Sequence, residues 1–510
     1  MATDMEMGGR GSGYERLGSR RLKLYDVVAQ SVGLIGPVFS AAFLIPLIAG
    51  FGASGKGAGL ATPFAVIVAA IGVLALGWIV AQYAKRIHAA GSLYDYVTLG
   101  FGTRMGGWAG WIYYGGTLLL ASAIAVLVGW LFSEGVLGVF GIDLDIPVWA
   151  WSALYVVLVF LVLAGGVQIS TRLQLILALV SAAVVFAFFI DVIVNSPVFS
   201  EGVTTDALRP FDPTEAPDLS GILFGVLYGV LIFVGFETAA NLAEEAEQPK
   251  RAIPRAVMAS VIIVSLFYVT AAYAQVAGFG FDTSVLTSPE VANAGPLFVL
   301  GSPGSPAEGA YGGSSDLMLK VLLIVVLLDV IAVGLGAATA STRGVFALAR
   351  DRKVPGFLAA TTRSGNPIAS ALLVAIVSGA WVAATVLDER LLTNGIQSVF
   401  QTPHEVAVFQ WISTLGAFLI MVVYGILALG AFSGLSDHPR FAGVVIAAVI
   451  GAAIAAGAIF GAIYKQPVPF DRIWFWAAAW AGLGLLVTLA VRGREPAHHA
   501  LADLSTGEEH

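Results

Sequence analysis

Two carboxylates stand inside apolar runs of this chain. Glu237 closes Phe233-Val234-Gly235-Phe236-Glu237, and Asp329 lies within Val325-Val326-Leu327-Leu328-Asp329-Val330-Ile331. An acid surrounded by hydrocarbon is costly to ionise, so it carries a proton, holds a cation, meets a cationic ligand or makes a structural hydrogen bond. No Lys or Arg of the same run is spaced to pair with Asp329. For Glu237 two readings stand: a pathway or proton group, or a bond that steadies the backbone beside it. Thr339, Ser341 and Thr342 offer hydroxyl oxygens to a cation such as Na⁺, although a hydroxyl on a helix also bonds its own backbone.

The elements around these groups are interrupted. The run Leu24 to Ile48 is broken by Gly33-Leu34-Ile35-Gly36-Pro37, and the run Leu219 to Leu242 by Phe233 to Glu237. Gly33 and Gly36 relieve steric limits, and Pro37 removes a donor, so a helix restarting there leaves the amides of Val38, Phe39 and Ser40 unspent. With the positive end of the helix dipole, they suit a carboxylate. The carbonyls freed around Ile232, Phe233 and Val234 suit an ammonium, with Phe233 and Phe236 as cavity walls. In a bilayer, backbone is unwound only where it faces protein, a wet cavity or a ligand. Paired breaks at matching places of two chain halves mark the midplane site of inverted-repeat transporters. The site set is therefore Gly33, Ile35, Gly36, Val38, Phe39 and Ser40 with Ile232, Phe233, Val234, Gly235 and Phe236.

Composition agrees with a membrane setting. The chain of 510 residues is 58% hydrophobic and 12% charged, with mean hydropathy +0.87. About twelve apolar runs recur, each long enough to cross ~30 Å of hydrocarbon. Alternating segments of ~10 residues, the mark of a membrane β-barrel, are missing. With the amino terminus inside, every Lys and Arg but Lys56, Arg209, Lys320, Arg390, Lys465 and Arg472 falls on inner segments. That bias predicts both termini in the cytoplasm of a cell whose cytoplasmic membrane holds the chain.

The expected organisation is a tail over 1–23, a first repeat of five spans over 24–195 and an external loop over 196–218. A second, inverted repeat follows over 219–431, then two further spans over 432–491 and a tail over 492–510. There is no cysteine, so disulfide and thiol chemistry are excluded. The six histidines lack metal spacing, and no nucleophile–base pair suggests an enzyme. Basic residues sit in inner loops rather than on one face, so no nucleic-acid partner is read, and no cofactor or metal. Gly50-Phe51-Gly52-Ala53-Ser54-Gly55-Lys56-Gly57 matches phosphate-loop patterns. It neither follows a strand nor opens a helix of a βαβ unit, and so reads as an external hairpin.

Three further motifs carry a resemblance. Phe233 to Glu237, then Ala243-Glu244-Glu245 and Pro249-Lys250-Arg251-Ala252-Ile253-Pro254-Arg255, resemble the sixth-span signature of the amino acid–polyamine–organocation (APC) permeases. Ser341-Thr342-Arg343 with Ala349-Arg350-Asp351-Arg352-Lys353-Val354-Pro355 resembles the loop after their eighth span. Ala90-Gly91-Ser92-Leu93-Tyr94-Asp95-Tyr96, then Gly100-Phe101-Gly102, resembles the loop after their second. The resemblance covers roughly Leu24 to Arg492. It implies an all-α integral membrane protein of about twelve transmembrane helices, a 5+5 inverted repeat of the LeuT-like fold with helices 1 and 6 unwound. It also implies transport of amino acids or related small amines by alternating access, as symporter or antiporter. A polyamine or basic amino acid exchanger and an amino-acid sensor are the alternatives. The chain departs from the family in Gly36-Pro37-Val38, where a Gly–small–Gly triplet is usual. It departs again near Ser181, where many proton-coupled members carry a Lys and Arg172 is the only nearby basic residue. Ion coupling therefore stays open among Na⁺ near Ser181 and Thr339, H⁺ on Glu237 or Asp329, and exchange without an ion.

Overall fold

The computed structural model describes residues 22–490 apart from 51–56, 201–204, 287, 289–290, 292–294, 306–309, 388–402, 465 and 467. Most of the glycine-rich Gly50–Gly57 segment and of both expected tails lies outside the described residues. Among those described, twelve helices are long and apolar enough to cross a bilayer, and no strand is present. They are span 1 (Leu24–Phe43), span 2 (Gly59–Ala84), span 3 (Thr103–Leu137), span 4 (Val148–Gly165), span 5 (Thr171–Asn195) and span 6 (Gly221–Leu242). Span 7 (Pro249–Gly278), span 8 (Asp316–Arg350), span 9 (Ile368–Leu387), span 10 (His404–Gly434), span 11 (Phe441–Ile463) and span 12 (Phe470–Ala490) follow. Each is rich in Leu, Val, Ile, Ala and Phe, and away from the interruptions of spans 1 and 6 a helical backbone satisfies its own polar groups, as hydrocarbon requires.

Burial separates a centre from a rim. Span 6 is buried over 89% of its most apolar stretch and span 1 over 83%, whereas span 12 is buried over only 17%. Spans 4, 5, 9, 11 and 12 turn large apolar side chains outward, among them Leu161, Ile176, Ile376, Ile446 and Leu486. Contiguous exposed apolar surface on that scale is the face a bilayer covers.

Small residues set the closest contacts in the centre. Span 3 packs along span 10, where a Cβ on Gly116 would lie 2.7 Å from the Gly416 carbonyl. Such approaches are how membrane helices gain dispersion contacts without a hydrophobic driving force between them. Span 3 also packs on span 8, span 8 on span 5, span 2 on span 7, and span 4 on span 9. Span 1 lies among spans 5, 7 and 8 and against the second half of span 6.

Candidate substrate site at two interrupted spans

Span 1 is interrupted at one residue rather than five. Helix Leu24–Ile35 ends at Gly36, whose φ of 58° is left-handed, and helix Pro37–Phe43 starts directly after it. Gly33, expected within the break, is instead inside the first helix. It sits against Gln174 of span 5, whose side chain a Cβ at Gly33 would meet at 2.7 Å, so its smallness serves packing. At Gly36 a Cβ would be strained by its backbone and would collide with Val333 Cγ2.

The amides released by this interruption are not idle. Val38 N and Phe39 N donate to Asp329 Oδ2 at 3.0 and 2.8 Å, and Ser40 N donates to Gly36 O at 2.9 Å. A carboxylate does occupy the restart of the helix, and it belongs to span 8. Asp329 has no exposed surface, and its other oxygen, Oδ1, accepts no hydrogen bond among the described residues.

Span 6 is interrupted by a turn. Helix Leu219–Leu231 ends, Phe233 N and Val234 N reach back to Val230 O and Leu231 O at 3.1 Å each, and Gly235 turns left-handed with φ 116°. A 3₁₀ segment, Phe236–Leu242, then carries the chain on. Glu237 pins the turn. Its Oε1 accepts from Tyr113 OH at 2.5 Å, and its Oε2 from Tyr424 OH at 2.7 Å and Gly235 N at 3.2 Å. Of the carbonyls expected to be free, Ile232 O accepts Tyr268 OH at 2.7 Å and Phe233 O accepts Phe236 N at 3.3 Å. No donor among the described residues reaches Val234 O.

The two interruptions touch. A Cβ on Gly235 would lie 2.7 Å from Leu34 Cγ and 3.1 Å from Ile35 N. Ser31 Oγ donates to Phe236 O at 2.8 Å and accepts from Ala239 N at 3.1 Å, and Tyr268 OH also lies 3.4 Å from Ile35 O. Beside the contact is a cavity of about 40 Å³, walled by Leu34, Ile35, Phe39, Ser40, Val234 and Val333 among others. Such a space holds a water or two, not a ligand needing several hundred Å³. In this conformation the space beside the two interruptions is closed to a ligand of that size. Phe39, Phe43, Phe298 and Phe409 cluster at the Phe43 end of span 1 in tilted and edge-to-face contacts, with the contacting ring centroids 5.8 to 6.4 Å apart.

At the other end of these spans the three motifs singled out in the sequence converge. Arg350 holds Glu244 with two bonds of 3.0 and 2.8 Å, and Arg343 holds Glu245 at 2.8 Å. Ala90 N donates to Glu244 Oε1 at 3.0 Å, Tyr94 OH to Asp351 Oδ2 at 2.9 Å, and Asn241 Nδ2 to Ala90 O at 3.1 Å. The loop after span 2, the end of span 6 and the end of span 8 are thereby fastened together. Burial pushes the Asp95 carboxyl well above the usual carboxylate range, the Asp351 charge adds to the rise, and the Arg350 guanidinium opposes it.

The profile of the amino acid permease family matches residues 30–436. The chain belongs to that family. It is 24% identical over 407 residues to the branched-chain amino acid permease BcaP of Bacillus subtilis (strain 168), covering 75% of this chain and 78% of that one. With the amino-acid permease RocC of the same organism the identity is 25% over 318 residues, or 60% of this chain and 62% of RocC. With the lysine-specific permease LysP of Escherichia coli (strain K12) it is 26% over 292 residues, or 56% and 55%. The matched stretch spans less than two thirds of RocC and of LysP. The family is one of membrane transporters for amino acids or related amines, in keeping with the all-helical fold of twelve spans.

In this permease the remaining expected residues fall apart from one another. Ser181 is fully buried on span 5, with a hydroxyl that no described residue pairs. Thr339 is buried on span 8, ten residues beyond Asp329, which on a helix is about 15 Å. Phe233 packs its ring on Tyr268 at 5.2 Å instead of walling the cavity. Among the described residues no group of His, Asp and Glu is arranged to hold a metal. Sequence reasoning passed over Tyr113, Tyr268 and Tyr424, the hydroxyls from spans 3, 7 and 10 that occupy both interruptions. A signal was present: a tyrosine deep in an apolar run needs a partner for its O–H.

Proposed function

We propose that this permease moves its substrate across the cytoplasmic membrane by alternating access, binding it between the interruptions of spans 1 and 6. The observation that supports this reading is the direct contact of two left-handed glycines' neighbourhoods, Gly36 with Leu34 and Ile35 on one side and Gly235 on the other. Continuous helices would have no reason to bring bent backbone together at this depth. The substrate ammonium meets the Val234 carbonyl. Spans 1–5 and 6–10 form inverted halves, which the pairing of span 3 with span 10 and of span 8 with span 5 supports, as do the contacts of spans 2 with 7 and 4 with 9. Both termini face the cytoplasm, following the Lys and Arg bias. The protein performs no chemical conversion. Ser181 and Thr339 are the hydroxyl candidates for a coupling cation. A substrate shifts the outward and inward populations only by its differential affinity for them.

The test is uptake of a panel of labelled amino acids and amines into proteoliposomes, repeated under separate proton and sodium gradients. Wild type should give saturable uptake. Gly235→Leu, which places a side chain against Leu34 and Ile35, should abolish uptake while the purified protein keeps the wild-type elution volume and circular dichroism spectrum. Wild-type rates from that variant, or ligand binding with no flux in wild type, would overturn the reading.

A further inference from the structure

We infer that Asp329 stands where a substrate carboxylate would otherwise bind, and that the cargo is a primary amine with an apolar body and no carboxylate. The inference rests on the reading that the substrate sits between the two interruptions, and it names the chemical class that site accepts.

Four observations carry it. First, the amides of Val38 and Phe39 already hold Asp329 Oδ2, at 3.0 and 2.8 Å. An incoming α-carboxylate would have to evict that oxygen and then lie beside it, two like charges in a dry setting. Second, Oδ1 of the same carboxylate is fully buried and unpartnered, and none of the ion pairs among the described residues includes Asp329. A buried carboxyl with an unused oxygen and no cation beside it has the capacity to accept from an ammonium, whose charge favours its ionised form. Third, the adjoining cavity offers nothing to a second anion. Val333, one turn from Asp329, and Phe39, whose amide holds it, both line that space, and its polar lining side chains are Ser40 and Ser413 alone. The other walls, such as Leu120 and Ile124, favour an alkyl or aryl body. Fourth, the acid at the interruption of span 6 is spent. Glu237 accepts three hydrogen bonds, so a diamine finds no second carboxylate with capacity to spare.

Asp329 does not itself line the closed cavity, so the ammonium reaches Asp329 Oδ1 and Val234 O as the surrounding elements part, with the body against hydrocarbon. Isopentylamine and phenethylamine fit this description; leucine, phenylalanine and lysine bring a carboxylate with no receptor, and cadaverine a second ammonium with none.

The experiment measures binding to the purified full-length permease in lipid nanodiscs, by thermal shift and by competition against labelled isopentylamine. In wild type, isopentylamine should bind roughly tenfold or more tightly than leucine, and cadaverine no better than isopentylamine. Asp329→Asn should lose isopentylamine binding by a similar factor while keeping an oxygen for the Val38 and Phe39 amides. The wild-type ranking stands on its own if that variant folds poorly. Leucine binding as tightly as isopentylamine, a preference for cadaverine, or no amine binding at all would each overturn the inference. Preferential amine binding without vesicle uptake would sustain it and overturn the transport reading instead.

Discussion

Glu237 and Asp329 are both carboxylates without solvent exposure, both beside span 1, and they are held in opposite ways. Glu237 receives two tyrosine hydroxyls and an amide, drawn from spans 3, 10 and 6, so both its oxygens are engaged. Asp329 receives two amides from a single helix end, both on one oxygen, and leaves the other bare. A fully satisfied buried polar group is a fastener: any motion that separates its partners strands several of them at once. A half-satisfied one keeps capacity for something that arrives later. The contrast sets the first acid in the architecture and supports the proposal that the second meets the ligand.

The largest effect should follow from removing the fastener. Glu237→Leu leaves the Tyr113 and Tyr424 hydroxyls and the Gly235 amide without acceptors in a dry interior, a loss of roughly 3 kcal/mol or more. Thermal unfolding in nanodiscs should show it as a large fall in Tm. Asp329→Asn keeps an oxygen for both of its amides, and should fall far less. Equal losses from the two variants would erase the distinction. A smaller step sharpens it: Tyr424→Phe deletes one donor to Glu237 Oε2 and leaves Gly235 N in place. Hydrogen bonds between membrane helices are individually modest, so the expected loss is about 1 kcal/mol, read from the same unfolding curves. A loss as large as that of Glu237→Leu would mean that Tyr424 alone fixes the turn.

Much of this architecture was readable from residue order, because hydrophobic length and helix-breaking residues act locally. The twelve apolar runs correspond to the twelve spans, and both interruptions fall in the expected segments. Two local details differed. Gly33 reads as part of the break because glycine relieves strain, yet glycine is also what close packing requires, and its neighbour Gln174 comes from another span. Phe233 has the size and place of a cavity wall, but Tyr268 claims its ring. What sequence order hides is partnership across the fold. Val38 and Asp329 are 291 positions apart, and Glu237 and Tyr424 are 187 apart, so no spacing rule pairs them. From residue order the unspent amides at the restart of span 1 therefore point to a ligand, whereas in the fold a residue of span 8 takes two of them.

A third carboxylate extends the comparison beyond the membrane interior. Asp95, in the segment after span 2, is buried and leaves Oδ2 unpaired, as Asp329 leaves Oδ1, but it lies in a cluster of charges that includes Arg350, Asp351 and Glu244. Burial, and then the Asp351 charge, raise its folded-state pKa despite Arg350. Its unfolded value is about 4. Below that pH both states hold the proton and Asp95 contributes nothing to the balance. As pH rises above it, the unfolded chain ionises freely while the folded one does so only against resistance. Stability therefore falls with rising pH until the folded pKa is passed. Asp95→Asn removes the titration while keeping the shape. The variant should melt higher than wild type at neutral pH, and the gap should close toward pH about 4. Melting curves of both proteins at several pH values decide the matter. A pH-independent gap would mean that the bare oxygen of Asp95 is tolerated for its packing, and that its charge plays no part at this end of the bundle.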